Sequence, residues 1–550
     1  MASFKRLALI LMTSCAGAAL SACDGANDIA SPGTGGNVII NNPAPTPAPS
    51  PTPTPTATLV TPATGCPTIA DPKGLTDDGT ITGPTGTWRV CTLPSIISRS
   101  VELPKIAGLL YQMKGRVDVG CDGGFSAPTS GAPRASSTVG CTAANGFSLT
   151  GGQLAADTNV TLTIQPGVIL FGGTGTSWLA VNRGNKINAT GTAAAPIIFT
   201  SRDNVIGINN DASFGQWGGV VLMGRAPITD CNTGSTGAGT CERATEGSAD
   251  PAVFGGADSA YNAGTMKYVQ IRFSGYVLGA DKELQALTTE GIGSGTTLDY
   301  IQSHNSSDDG AEFFGGSVRF KHYIATGADD DSLDIDTGLQ GLFQYVLLIQ
   351  RPGQGDALME VDSNGAESDT PRQVTKVANF TGIQSQVSSN NESNDLASIL
   401  LRGNADLTLV NGLIISPNNE CLRMNGSGTT PATLTARSVA LQCNATKYLG
   451  TGTYNATQVA TAFGAGSNNN SDSFVNTLAN LFVNGTAETA LVATDPKTLD
   501  STGFFDTTTW VGAVRNAQDT WYAGWTCNSG YAAFDNATVT GRSCTALPTT

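Results

Sequence analysis

Histidine is almost missing from this chain of 550 residues, which has two, His304 and His322. An imidazole-built transition-metal site therefore lacks its donors. No Cys-x-x-Cys occurs, which removes the common zinc and redox thiolate arrangements. No Gly-x-Ser-x-Gly is present, which excludes a nucleophile-elbow serine hydrolase. Charged residues make up only 13%. Beyond residue 22 no apolar run reaches the ~18 residues of a membrane-spanning helix. Helical periodicity is nearly absent. The exception is SDSFVNTLANLFVNG at 471–485, where Phe474, Leu478 and Leu481 share a face behind a capping Ser471 or Asp472 and predict a short helix.

What the chain has is glycine, 67 residues of it, with Thr, Asn and short apolar runs such as VTLTI, GVILFG, APIIFTS and GGVVLMG. Runs of this kind, punctuated by Gly and Asn, read as strands and turns. The balance of 29 basic against 44 acidic residues gives −15. Loss of residues 1–22, which carry Lys5 and Arg6 and no acid, makes this −17, two charges lower. Such a balance argues against nucleic acid or an anionic bilayer as partner, and favours metal cations or neutral ligands.

The beginning of the chain reads as export machinery. Lys5 and Arg6 precede LALILM, and small residues lead to LSAC at Leu20–Cys23. This stretch resembles a bacterial lipoprotein signal, which implies cleavage after residue 22, lipidation of Cys23 and attachment to the membrane through lipid. The location expected is the outer membrane or cell surface. Asp24 leaves open the periplasmic face of the inner membrane, because that residue retains lipoproteins there in some bacteria. Residues 23–64 form a Pro/Thr-rich linker. Proline at every second position from Pro43 to Pro55 holds polyproline II, a semi-rigid spacer of roughly 40 Å at ~3.1 Å per residue.

Cysteine usage agrees with export. Twelve cysteines, less Cys15 in the signal and Cys23 at the lipid site, leave ten. They form neighbouring couples that read as disulfides: Cys66 with Cys91, Cys121 with Cys141, Cys231 with Cys241, Cys421 with Cys443, and Cys527 with Cys544.

Two stretches organise the middle. LDYIQSHNSSDDGAEFFGG from Leu298 and FKHYIATGADDDSLDIDTG from Phe320 superpose without a gap at an offset of 22 residues. Asp308 falls on Asp330, Asp309 on Asp331, Glu312 on Asp334 and Gly316 on Gly338. A third copy begins at Phe343 and brings Asp356, Glu360 and Asp362 into the same relation. MKYVQIRFSGY from Met266 and the stretch from Ile399 read as flanking rungs, with Arg402 and Arg423 expected to correspond. Short strands at this period without helices predict an all-β fold, a right-handed parallel β-helix. Leu333, Ile335, Leu358 and Val361 then point inward. The expected divisions are a cap region at 65–159, the β-helix at 160–445, and a C-terminal region at 446–550 with a short helix and cap.

In such a stack equivalent residues lie ~4.8 Å apart. Glu312, Asp334 and Glu360 form one acidic column, Asp336 and Asp362 lie two positions along, and Asp309, Asp331 and Asp356 sit at the preceding bend. Like charges at that spacing repel by about 0.9 kcal/mol in water, and roughly four times that at an effective dielectric of 20. Three answers are open: a solvated acidic face, a catalytic carboxylate pair, or a calcium site. The ligand candidates are Asp308, Asp309, Glu312, Asp330, Asp331, Asp334, Asp336, Asp356, Glu360 and Asp362.

The stretches GIGSGTT at Gly291–Thr297, DDGAEFFGG, DDDSLDIDTG and TWYAGWT at Thr520–Thr526 resemble a family of exported bacterial proteins read as β-helices, many of them surface lipoproteins. The resemblance covers most of residues 150 to 550. The architecture is also similar to pectate-lyase-like enzymes. That likeness implies calcium on Asp334, Asp336 and Glu360, and Arg351 or Arg402 as base. Against an enzyme, the NTDG and GDD signatures of helical pectin hydrolases are missing, and no arginine falls within the acidic column of the sequence repeat. The expected function is a lipid-anchored, calcium-stabilised binding protein for an extracellular glycan or an outer-membrane receptor, in adhesion or TonB-dependent uptake. The alternative is a calcium-dependent polysaccharide lyase or glycoside hydrolase acting on an acidic polysaccharide. Trp217, Trp510, Trp521 and Trp525 are candidates for stacking on sugar.

Overall fold

The computed structural model describes residues 59–246, 252–279, 282–363, 368–388, 396–426 and 430–549. The expected signal segment, the Cys23 lipid site and the proline spacer lie outside them. No described helix is long and apolar enough to cross a membrane.

From Gly264 to Cys443 the chain alternates between two large parallel sheets, one strand to each per coil. Gly264–Arg272, Thr297–His304, Ser317–Thr326, Gln340–Ile349, Gln373–Ile383, Ala405–Ser416 and Thr433–Cys443 pair in that order in the first. Leu287–Glu290, Ala311–Phe314, Asp334–Asp336, Met359–Val361, Ile399–Leu401 and Leu422–Gly426 pair in the second. Leu298 stands on Phe320 and Phe320 on Phe343, as the sequence offset requires. This is a parallel β-helix. Leu333, Ile335, Leu358 and Val361 are fully enclosed in a continuous apolar core. Each such side chain contributes roughly 1.5–3 kcal/mol by leaving water.

Each long strand of these coils bends once, at a residue in the left-handed region. Tyr268, Tyr300, His322, Tyr345, Asn379, Asn411 and Ser438 have φ between 51° and 62°. The pairing skips these positions, running Lys267 to Asp299 and then Val269 to Ile301. The bend lets Met266 and Val269, three apart, both reach the core. Asn tolerates this conformation, whereas the aromatic residues are strained by it. Ring stacking offsets the strain: centroids are 4.4 Å apart for Tyr268–Tyr300, 4.0 Å for Tyr300–His322 and 4.7 Å for His322–Tyr345.

Parallel pairing starts earlier than residue 160. Gly86–Thr92 and Arg116–Val119 already pair in parallel with the strands of later coils, so much of the expected cap region is solenoid. Thr76–Gly83 folds back antiparallel on the first long strand. At the other end the helix Ala456–Phe463, capped by Asn455 and Gln458, lays Val459 and Phe463 on the core. The helix expected at 471–485 is not formed. Asn480 and Leu481 take left-handed φ of 46° and 73°, and Ala479 bridges Val483 antiparallel. Phe474 and Leu478 instead pack on a cluster that includes Leu347 and Trp525, so tertiary burial overrides the helical spacing.

The last residues return along the outside of the long strands. Asn411 Nδ2 donates to Thr494 O (2.8 Å), Asn379 Nδ2 to Trp510 O (3.0 Å), Gln302 Nε2 to Cys527 O (3.0 Å) and Arg272 Nη1 to Cys544 O (2.9 Å). Leu547 ends beside Trp88 and Val90 of the first coils. All five expected disulfides are present, with Cα atoms 4.8 to 5.6 Å apart. They fit an oxidising compartment outside the cytoplasm.

Candidate functional site: an acidic cleft

Alternation within the short strands fixes which side chains face out. Phe313, Ile335 and Val361 point into the core, so their neighbours Glu312, Asp334 and Glu360 point away from it. These three stand in register, Glu312 on Asp334 and Asp334 on Glu360. The file continues through Leu400 to Arg423. Arg402 and Arg423 therefore do not correspond, contrary to expectation: Leu400 pairs with Arg423 and Leu401 with Met424.

The bend before these strands adds two further files. Asp331 N donates to Asp309 Oδ1 (2.9 Å) and Ala357 N to Asp331 Oδ1 (2.6 Å). Each carboxylate thus fastens the backbone of the next coil. Ala357, not Asp356, follows Asp331. Ser332 N donates in turn to Ala357 O (3.1 Å), in the same register, a 26-residue offset, that pairs Asp334 with Glu360, so Asp356 falls beside Asp330. The longer turn of the third copy shifts it by one place.

Candidate oxygen atoms lie within 4.8 Å of one another in three groups: Asp308, Asp309 and Asp330; Asp309, Glu312 and Asp334; Asp330, Asp331 and Asp356. All of these but Asp356 line a cleft of about 260 Å³ with Glu360, Gln285 and Glu246. Asp336 and Asp362 stand aside in the neighbouring file. Glu246 and the buried Glu290 escaped the sequence reading. Glu246 lies in an insertion outside the repeat, while Glu290 sits one coil before Phe314 in register and precedes glycine as Phe314 does.

Burial and crowding push the same way. Asp309, Glu312, Asp331, Asp334 and Asp336 are all held well above the ordinary carboxylate range, first by burial and then by neighbouring acids. A side-chain hydrogen bond with Glu312 opposes the rise at Asp334, and Arg243 opposes it at Asp336. Burial likewise pushes Glu290 up to about 8.

Cationic side chains lie at the margin. Arg402 reaches Glu360 (3.2 Å) and Asp362 (2.7 Å), so an arginine does sit against the acidic column, which the sequence repeat did not show. Arg351 binds Asp329 (2.7 Å) and covers the Phe214 ring at 5.0 Å. His304 is buried with Nδ1 2.9 Å from Thr326 Oγ1, and burial pushes it down to about 3. It therefore stays neutral at physiological pH. Trp217 and Trp525 are fully buried, while Trp510 and Trp521 are partly exposed.

The donor set is all oxygen and acidic, which fits a hard cation such as calcium and does not suit zinc or copper. Asp308, Asp309, Glu312, Asp330, Asp331, Asp334 and Asp356 are the residues that would hold it.

No curated protein and no solved structure matches the chain. The family described as the pectate-lyase-like β-helix domain matches residues 134–526, a stretch that contains the acidic cleft and the Trp510–Trp525 segment. Because that match spans more than half of the sequence, and the coils stack as such a domain requires, the chain belongs to the pectate-lyase-like β-helix family.

Proposed function

We propose that this chain is an exported binding module, in which the acidic cleft holds calcium and the surrounding β-helix face receives an extracellular glycan. Lipid at Cys23 and the proline spacer carry it at the bacterial surface. The observation that supports this most is the in-register file of Glu312, Asp334 and Glu360, crowded by Asp309 and Asp331. A divalent ion relieves that repulsion without protonation, and supplies a positive centre for carboxylate or hydroxyl groups of a sugar. Binding is favoured over turnover because both arginine base candidates are committed to carboxylates, Arg351 to Asp329 and Arg402 to Glu360 and Asp362.

The test is calcium titration of the full chain by calorimetry, followed by a glycan array with and without chelator. The reading expects calcium binding that weakens in Asp334→Asn, and retention of a glycan without new products. Absence of calcium binding overturns it. A second reading, a calcium-dependent lyase of an acidic polysaccharide, is supported by the match of residues 134–526 to the pectate-lyase-like β-helix domain. It requires unsaturated products absorbing in the near ultraviolet when uronate polymers and calcium are supplied.

A further inference from the structure

A separate pocket of about 440 Å³ opens where the returning C-terminal segment crosses the bent strands. That volume falls within the ~300–1,000 Å³ of small-molecule sites. Its aromatic walls are His322, Tyr345, Trp510 and Trp521. The walls are fixed before any ligand arrives. His322 Nδ1 lies 2.7 Å from Asp299 Oδ1, and its ring is stacked between Tyr300 and Tyr345. Trp521 is 5.1 Å from His322, and its Nε1 donates to Ala513 O at 3.0 Å. Trp510 is nearly parallel to Tyr345, at 16°.

Polar groups alternate with these rings: Asp506, Asp519, Asn516, Gln518 and Arg515 share the lining. Charge is balanced there. Lys321 binds Asp506 (2.8 Å), while Arg515 lies 5.5 Å from the Trp510 ring centre in the same lining as Asp519. A bare cation competes with Lys321 for Asp506, and an anion meets two carboxylates. An uncharged pyranose has flat C–H faces for the rings and hydroxyls that both donate and accept.

We propose that this pocket is a second binding site, which takes a neutral pyranose unit of a glycan chain. The inference deepens the glycan reading above but does not depend on the acidic cleft holding calcium, because none of the cleft's carboxylates lines this pocket.

The experiment titrates the full chain with neutral oligosaccharides of glucose, galactose, mannose and xylose, followed by tryptophan fluorescence and by retention on an array, in calcium and in chelator. At least one oligosaccharide is expected to change the fluorescence, with the same affinity in both buffers. Trp521→Ala is expected to weaken it about tenfold. Gln518→Ala, at an exposed position, is expected to weaken it without altering the melting temperature. The proposal is overturned if no neutral oligosaccharide binds at millimolar concentration, if both variants bind as the parent does, or if chelator abolishes binding. The last result assigns the glycan to the acidic cleft instead. Loss of calcium binding alone removes the cleft reading and leaves this site standing.

Discussion

Glu312 and Asp334 stand one above the other on adjacent coils with carboxylate oxygens within 4.8 Å of each other, although both are acids. Two carboxyl groups in that position hold together only if a proton or a cation lies between them.

Stability without calcium therefore depends on pH. Asp309, Glu312, Asp331, Asp334 and Asp336 have folded-state values raised above those of the unfolded chain. The folded state holds those protons more tightly, so their contribution is fully present below about pH 4 and is lost as pH rises through the folded values. In chelator, melting temperature is expected to fall between pH 5 and pH 8. Calcium is expected to remove most of that slope, and differential scanning calorimetry at both pH values measures it.

Asp331 separates backbone fastening from charge. Its Oδ1 accepts from Ala357 N, and an asparagine keeps that acceptor while removing the repulsion. Asp331→Asn is expected to be at least as stable as the parent in chelator. Asp331→Ala leaves the buried amide unpaired and is expected to lose ~1–3 kcal/mol in urea unfolding.

The core predicts a third outcome. Leu358 is fully enclosed between coils. Leu358→Ala is expected to cost ~2–5 kcal/mol by loss of contacts and cavity formation. Unfolding followed by circular dichroism is the check.

The returning C-terminal segment acts as a strap. Trp525 is fully buried, with Tyr268 and Tyr300 edge-on at 6.2 and 5.8 Å. Trp525→Ala is expected to destabilise the chain by ~3–5 kcal/mol. It is also expected to raise hydrogen exchange at Cys527 N, which Gln302 Oε1 accepts.

The parallel stacking was legible because one coil near the cleft spans 22 residues without a gap, so Leu298, Asp308 and Glu312 each predict their successors. The disulfides were legible for a related reason: partners one coil apart, such as Cys421 and Cys443, are neighbours in space. Where turn lengths vary the pattern slips, which misplaced Asp356 and the Arg402–Arg423 correspondence. The corner file of Tyr268, Tyr300, His322 and Tyr345 was not legible. Left-handed φ at an aromatic residue leaves no mark in composition, and only stacking between coils stabilises it. The strap was hidden too, because its contacts with Gln302, Asn379 and Asn411 join residues far apart in the chain.

The most direct measurement is an anomalous difference map from crystals of the full chain grown in calcium. The account predicts a peak in the cleft between the carboxylates of Asp309, Glu312 and Asp334. A map without such a peak, with Glu312 and Asp334 hydrogen-bonded only to each other, contradicts it.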